Sequence, residues 1–168
     1  MEIRSLKRKK AKSKGKGKVV KIGIIPSYEQ TISSGIKSNP VLSYGIPFGE
    51  VTLHQENYDI WIKMNVYNLA ANCASTQGSN ECGVHIHDGI DCSNPGGHLW
   101  NRNQFALDPW LNIYYQSDEF GCSITGSKDI IYMKNGNGFS LVDNLNRPIV
   151  IHSYNGTKIA CGMLKASI

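Results

Sequence analysis

Four of the five histidines in this 168-residue chain fall where they can act together. His85 and His87 stand in Gly83-Val84-His85-Ile86-His87-Asp88, an alternating run. Residues two apart on a β-strand leave the same face, so one strand offers both imidazoles to one ion. His98 lies in Pro95-Gly96-Gly97-His98-Leu99-Trp100-Asn101, and His152 ends Pro148-Ile149-Val150-Ile151-His152. Imidazole is the commonest protein ligand for copper and zinc, so the chemistry these residues suggest is metal binding. His54 is left over. It begins the turn-like His54-Gln55-Glu56-Asn57 and reads as an exposed residue. A bare His-x-His is a weak motif, and its weight comes from the chain around it.

The elements that must position these residues read as short strands. Val19–Pro26, Phe48–His54, Ile60–Val66 and the histidine run itself are β-branched or alternating. Further candidates are Leu111–Tyr115, Gly121–Thr125, Ile130–Met133, Phe139–Val142, Pro148–His152 and Ile159–Leu164. Asn39-Pro40, Asp108-Pro109-Trp110 and Asn135-Gly136-Asn137-Gly138 are turn signals between them. Close spacing and glycine-rich turns predict an all-β antiparallel sandwich or barrel. Length suits one domain with a sizeable core. No apolar run is long enough for a membrane span.

The net charge of +5 is unevenly placed. Residues 1–18 carry nine Lys/Arg and one acid, a local charge of +8, which leaves −3 on residues 19–168. The division expected is a basic, disordered tail over 1–18 and one β-domain over 19–168. Such a tail suggests contact with nucleic acid, anionic lipid or another polyanion, although a solvated, nonspecific tail is the favoured reading.

Taken together, the motifs resemble the copper/zinc superoxide dismutase family. Gly83-Val84-His85-Ile86-His87 is similar to its Gly-x-His-x-His signature, and Gly97-His98-Leu99-Trp100-Asn101 to its Gly-x-His-aromatic-Asn loop, with the aromatic one place later. Ile149–His152 resembles the strand carrying the last copper histidine. Gly156-Thr157-Lys158-Ile159-Ala160-Cys161-Gly162 resembles the C-terminal Gly-x-Arg-x-Ala-Cys-Gly. The pieces occur in family order over residues 45–168. The resemblance implies an eight-stranded Greek-key β-barrel with an immunoglobulin-like sandwich architecture. It implies copper on His85, His87, His98 and His152, and a Cys92–Cys161 disulfide. It also implies turnover of superoxide to oxygen and hydrogen peroxide, with His98 carrying a proton and Lys158 guiding the anion.

Three departures from the family pattern shape that expectation. No histidine lies between His98 and His152, so a zinc site of the usual kind is not expected, and the chain resembles the copper-only members. The outer nitrogen of His98 then needs another partner, for which Asp108 or Glu119 is the candidate. The loop after His152 is only Ser153 to Lys158, which leaves the metal open to solvent with weaker electrostatic focusing. Lys158 stands where the family has arginine, a mobile point charge in place of a planar fork. The competing expectation is a non-catalytic copper-binding or structural module on the same barrel.

Beyond Cys92 and Cys161, Cys73 and Cys82 bracket a polar loop and suggest a second bridge, while Cys122 reads as a small buried residue. Two bridges favour an oxidising, extracellular setting, although no apolar segment of signal-peptide type follows the N-terminal charges. Asn155-Gly156-Thr157 matches an N-glycosylation acceptor, in the short loop beside the expected copper.

Overall fold

A computed structural model describes residues 18–22, 47–71, 73, 80–123 and 130–166. The chain is mostly β. Its seven described strands are β1 (Lys18–Ile22), β2 (Phe48–Glu56), β3 (Asp59–Tyr67), β4 (Val84–Ile86), β5 (Ile131–Met133), β6 (Pro148–His152) and β7 (Lys158–Met163). They form two antiparallel sheets, β1-β2-β3-β5 and β4-β6-β7. The two sheets share no ladder, so no closed barrel forms among the described residues. The basic tail lies outside the described residues up to residue 17, as do the last four residues of the expected Val19–Pro26 strand.

Alternation sets the larger sheet. Ile60, Ile62, Met64 and Val66 of β3 are buried, and Lys63, Asn65 and Tyr67 between them are exposed. β2 matches them across the ladder, with Val51 opposite Met64 and Leu53 opposite Ile62. Asn57 closes the hairpin between Glu56 and Asp59 in the left-handed conformation, φ 57°, that asparagine tolerates. Removing a large aliphatic side chain from such a core costs about 2–5 kcal/mol.

The smaller sheet sends its residues two ways. Val84 and Ile86 of β4 and Ile149 and Ile151 of β6 join the core between the sheets. His85 and His87, and Val150 and His152, alternate with them and leave the opposite face. These four are buried as well, and loop carbonyls close on the rings: Ile113 O on His85, Gly96 O on His87 and Gly156 O on His152. The histidines therefore occupy a second, polar interior outside the main core.

Two expected strands are something else. Leu111–Tyr115 begins inside a 3-10 turn, Pro109–Asn112, because Asp108 Oδ1 accepts the Trp110 N–H and Pro109 starts the turn. Only Tyr114 makes a β-bridge, to Gly83. Phe139–Val142 runs into a short helix, α1 (Leu141–Asn144), because Asp143 Oδ2 accepts both the backbone N–H and the hydroxyl of Ser140. Gly121–Thr125 contributes an isolated bridge, Ser117 to Ser123, and its last two residues lie outside the described ones. No helix among the described residues is long and apolar enough to cross a membrane.

Candidate metal centre

Each histidine of the cluster is placed by backbone before it meets the others. β4 supplies His85, and His87 follows at its end in a bridge to His98. β6 supplies His152, whose N–H donates to Gly83 O. Gly83 is needed for space. A Cβ there would lie 2.3 Å from His85 Cε1 and 2.6 Å from Nε2, inside the imidazole.

The loop carrying His98 is tied down along its length. Asp88 N donates to Gly97 O, and Asp88 Oδ1 accepts from Gly97 N. Arg147 Nη1 donates to Asp88 O, and the Cys92–Cys161 disulfide joins the loop to β7. Just after His98, Leu99 O accepts from Trp110 Nε1 at 2.8 Å and Asn137 Nδ2 at 3.1 Å. Trp110 and Asn137 are fully buried, so the loop is held from two sides.

The side chains then converge. One ring nitrogen from each of His85, His87, His98 and His152 lies within 4.8 Å of the others. Among the described residues this is the one group of histidine, cysteine or carboxylate side chains so arranged. Around the cluster in the order His85, His98, His87, His152, ring centroids stand 4.3, 5.1, 5.6 and 5.2 Å apart. The two cross-distances, His85–His87 and His98–His152, are both 6.4 Å. The rings thus form a puckered square.

Hydrogen bonds fix which nitrogen of each ring is available. A carbonyl only accepts, so the nitrogen facing it carries the proton. His85 Nε2 donates to Ile113 O at 2.9 Å, which leaves Nδ1 with the lone pair. That Nδ1 is buried and has no partner, an orphan that needs an explanation. His87 Nδ1 donates to Gly96 O and His152 Nδ1 to Gly156 O, which leaves both Nε2 atoms as bare lone pairs. Those two Nε2 atoms face each other at 3.5 Å. Two acceptors with no proton between them repel, and a cation between them removes the conflict. His98 Nδ1 donates to Asp108 Oδ2 at 2.7 Å, so its Nε2 completes the set. Of the two carboxylates expected as its partner, Asp108 takes the place and Glu119 does not.

Electrostatics keep the cluster ready for a cation. Burial holds His85 at about 2 and His87 at about 4, below the ordinary imidazole value of 6.5, with neighbouring histidines adding to the effect. His152 is lowered as well, again mainly by burial. A metal ligand must be neutral, and these three are neutral at physiological pH. The donor set therefore fits a metal ion, with one Nδ1 and three Nε2 atoms. With bonds of about 2 Å, as for zinc, ring shifts of under about 1 Å would bring all four into contact.

No protein-family model matches the chain, and a search of curated proteins finds no significant match. What marks the cluster as a candidate metal site is its own geometry.

The remaining expectations divide as follows. Lys158, at the start of β7, reaches across the mouth of the cluster, and its Nζ donates to Gly96 O at 3.1 Å. That carbonyl also holds His87, so lysine and ligand share one anchor. His54 stays out of the cluster. It is half-buried rather than exposed and packs on Trp61. Cys73–Cys82 and Cys92–Cys161 are both disulfides, which fits an oxidising environment. Cys122 is a free thiol, half-buried rather than buried. Sequence reading missed Asn137 and Trp110 as supports of the His98 loop, since neither belongs to a motif of ligands.

Proposed function

We propose that the four histidines hold copper and that the protein is a copper-dependent superoxide dismutase without a zinc site, on a Greek-key β-barrel of the family its motifs resemble. The observation that carries the reading is the convergence of four imidazoles, with the orphaned His85 Nδ1 and the opposed His87 and His152 Nε2 atoms. Imidazole nitrogens suit copper, and the sequence between His98 and His152 holds no further histidine that could build a separate zinc site.

The chemistry copper supplies when bound is a one-electron couple, by which one superoxide is oxidised to oxygen and a second is reduced to peroxide. The chain's own residues bring in the anion and the protons. Lys158 places a positive charge at the mouth, where it attracts superoxide by a screened, salt-sensitive field. Among the four ligands, His98 alone sets its outer nitrogen against a carboxylate. The Asp108 carboxylate, 2.7 Å from Nδ1, offsets the positive charge that the ring would gain on taking a proton at Nε2. His98 is thereby the residue best suited to carry a proton to the departing peroxide.

The test is metal content followed by superoxide decay on the same sample, after reconstitution with copper and zinc. About one copper, no zinc and rapid decay supports the reading, as does loss of most activity and of its salt dependence in Lys158→Gln. Copper without activity leaves a copper-binding module, the second reading, which the replacement of a planar arginine fork by Lys158 favours. Absence of bound copper overturns both.

A further inference from the structure

We propose that Asn155 is an N-glycosylation site whose glycan screens the mouth of the histidine cluster from macromolecules while leaving it open to small anions. Fifteen asparagines occur in the chain, and Asn155-Gly156-Thr157 is the one Asn-x-Ser/Thr triplet among them. The triplet lies in the turn joining β6 to β7, and Asn155 is exposed there. Its Oδ1 accepts the Thr157 N–H at 3.1 Å. Among the described residues no hydrogen bond occupies its Nδ2, the atom that would carry the sugar. Both disulfides are of a kind formed in the oxidising compartment where such transfer takes place.

The position gives the modification a use. Three residues before Asn155 is His152, and one residue after it Gly156 O fixes the His152 ring. Three residues after Asn155 is Lys158, whose ammonium reaches across to Gly96 O. A glycan on Asn155 would start from the rim between a ligand and the cation. The connection from β6 to β7 is too short to cover that rim, and a flexible hydrophilic chain covers it without closing it to a diatomic anion. In the transfer, Asn155 Nδ2 attacks the anomeric carbon of an oligosaccharide carried on a lipid pyrophosphate. The new bond is Nδ2–C1, the C1–O bond to pyrophosphate breaks, the lipid pyrophosphate leaves, and the amide proton passes to a base of the transferase. The site does not depend on the identity of the metal. Only the screening role rests on the copper reading.

The test directs the full chain through the secretory pathway of a eukaryotic cell and follows the lumenal and secreted pools. Disulfide-bonded protein should lose mass on treatment with peptide N-glycosidase, and Asn155 should become Asp with uptake of heavy oxygen from labelled water. Asn155→Gln and Thr157→Ala should abolish the shift, and Thr157→Ser should keep it. Folded, disulfide-bonded protein with a bare Asn155 overturns the proposal. Screening is read by loading copper and comparing its removal by a small chelator and by a metal-free copper-binding protein. Removal of the glycan should speed the protein acceptor several-fold and leave the small chelator unchanged. Equal rates with both acceptors overturn the screening role. A chain that carries the glycan but no copper locates the failure in the metal reading instead.

Discussion

Asp108→Asn should damage the metal centre more than Asp108→Ala does, an unusual order that follows from two hydrogen bonds. Asp108 Oδ1 accepts the Trp110 N–H at 2.9 Å, and Oδ2 accepts the His98 Nδ1–H at 2.7 Å. Asparagine keeps one acceptor. Asn and Asp are equally good at capping a turn, so that oxygen stays on Trp110 and the new amide group faces His98 Nδ1. Donor then meets donor. The imidazole relieves the conflict by moving its proton to Nε2, the atom that must hold the metal. Alanine leaves Nδ1 to water, and Nε2 stays free. Loss of a ligand's outer partner costs about 10- to 100-fold in metal affinity, or about 1.4 to 2.7 kcal/mol. Alanine belongs at the low end of that range and asparagine at or beyond the high end. Stability of the metal-free protein should run the other way, with alanine losing about 1 kcal/mol with the cap. Competition with a calibrated chelator gives the affinities, and denaturant titration gives the stabilities. Asparagine binding as tightly as the parent, or more tightly than alanine, would refute the tautomer argument.

Three other outcomes are expected. Gly83→Ala should displace the His85 ring and cost the site at least tenfold in affinity, about 1.4 kcal/mol, because the added methyl overlaps the imidazole; a change under twofold in the same competition assay would count against this. Removing Cys92–Cys161 by Cys→Ser changes should lower stability more than removing Cys73–Cys82, since their sequence separations of 69 and 9 correspond to loop entropies of about 4.4 and about 2.6 kcal/mol, and equal losses of Tm would contradict that origin. Metal-free protein should lose stability on acidification. His85, His87 and His152 stay neutral in the fold below about pH 6.5, while the unfolded chain takes up protons there. For His85 and His87 stability is therefore full above about 6.5 and falls by up to about 1.4 kcal/mol per unit per histidine, down to about 4, where His87 charges within the fold; His152 adds a loss in the same direction. A urea midpoint independent of pH over that window would refute the buried, neutral state of the three rings.

Much of the centre was legible because it is written in short-range code. A strand of period two puts His85 and His87 on one face, and a β-branched run delivers His152. Strand type was legible for β2, β3, β6 and β7 for the same reason. The failures at Leu111–Tyr115 and Phe139–Val142 have another cause. Both stretches are apolar enough for strands, and single carboxylates decide otherwise, Asp108 by capping a 3-10 turn and Asp143 by capturing Ser140. Asp108 and Glu119 were equal in sequence as partners for His98. Only the turn at Pro109 brings one of them within 2.7 Å. The half-burial of His54 was likewise hidden, since it depends on Trp61 across the ladder rather than on its neighbours in the chain.

The double tie on Leu99 O has a consequence for how the cluster would take up an ion. His98 is the histidine of the cluster that no strand carries or adjoins, and Trp110 and Asn137 tie down its loop at Leu99 O. The backbone carrying His98 is therefore held by hydrogen bonds that need no metal. Binding need not order the chain, so ion and fold communicate only by mass action. Free metal at a thousand times its Kd adds about 4.1 kcal/mol to unfolding, and at a tenth of Kd almost nothing. A metal held there would leave and return without taking the fold with it.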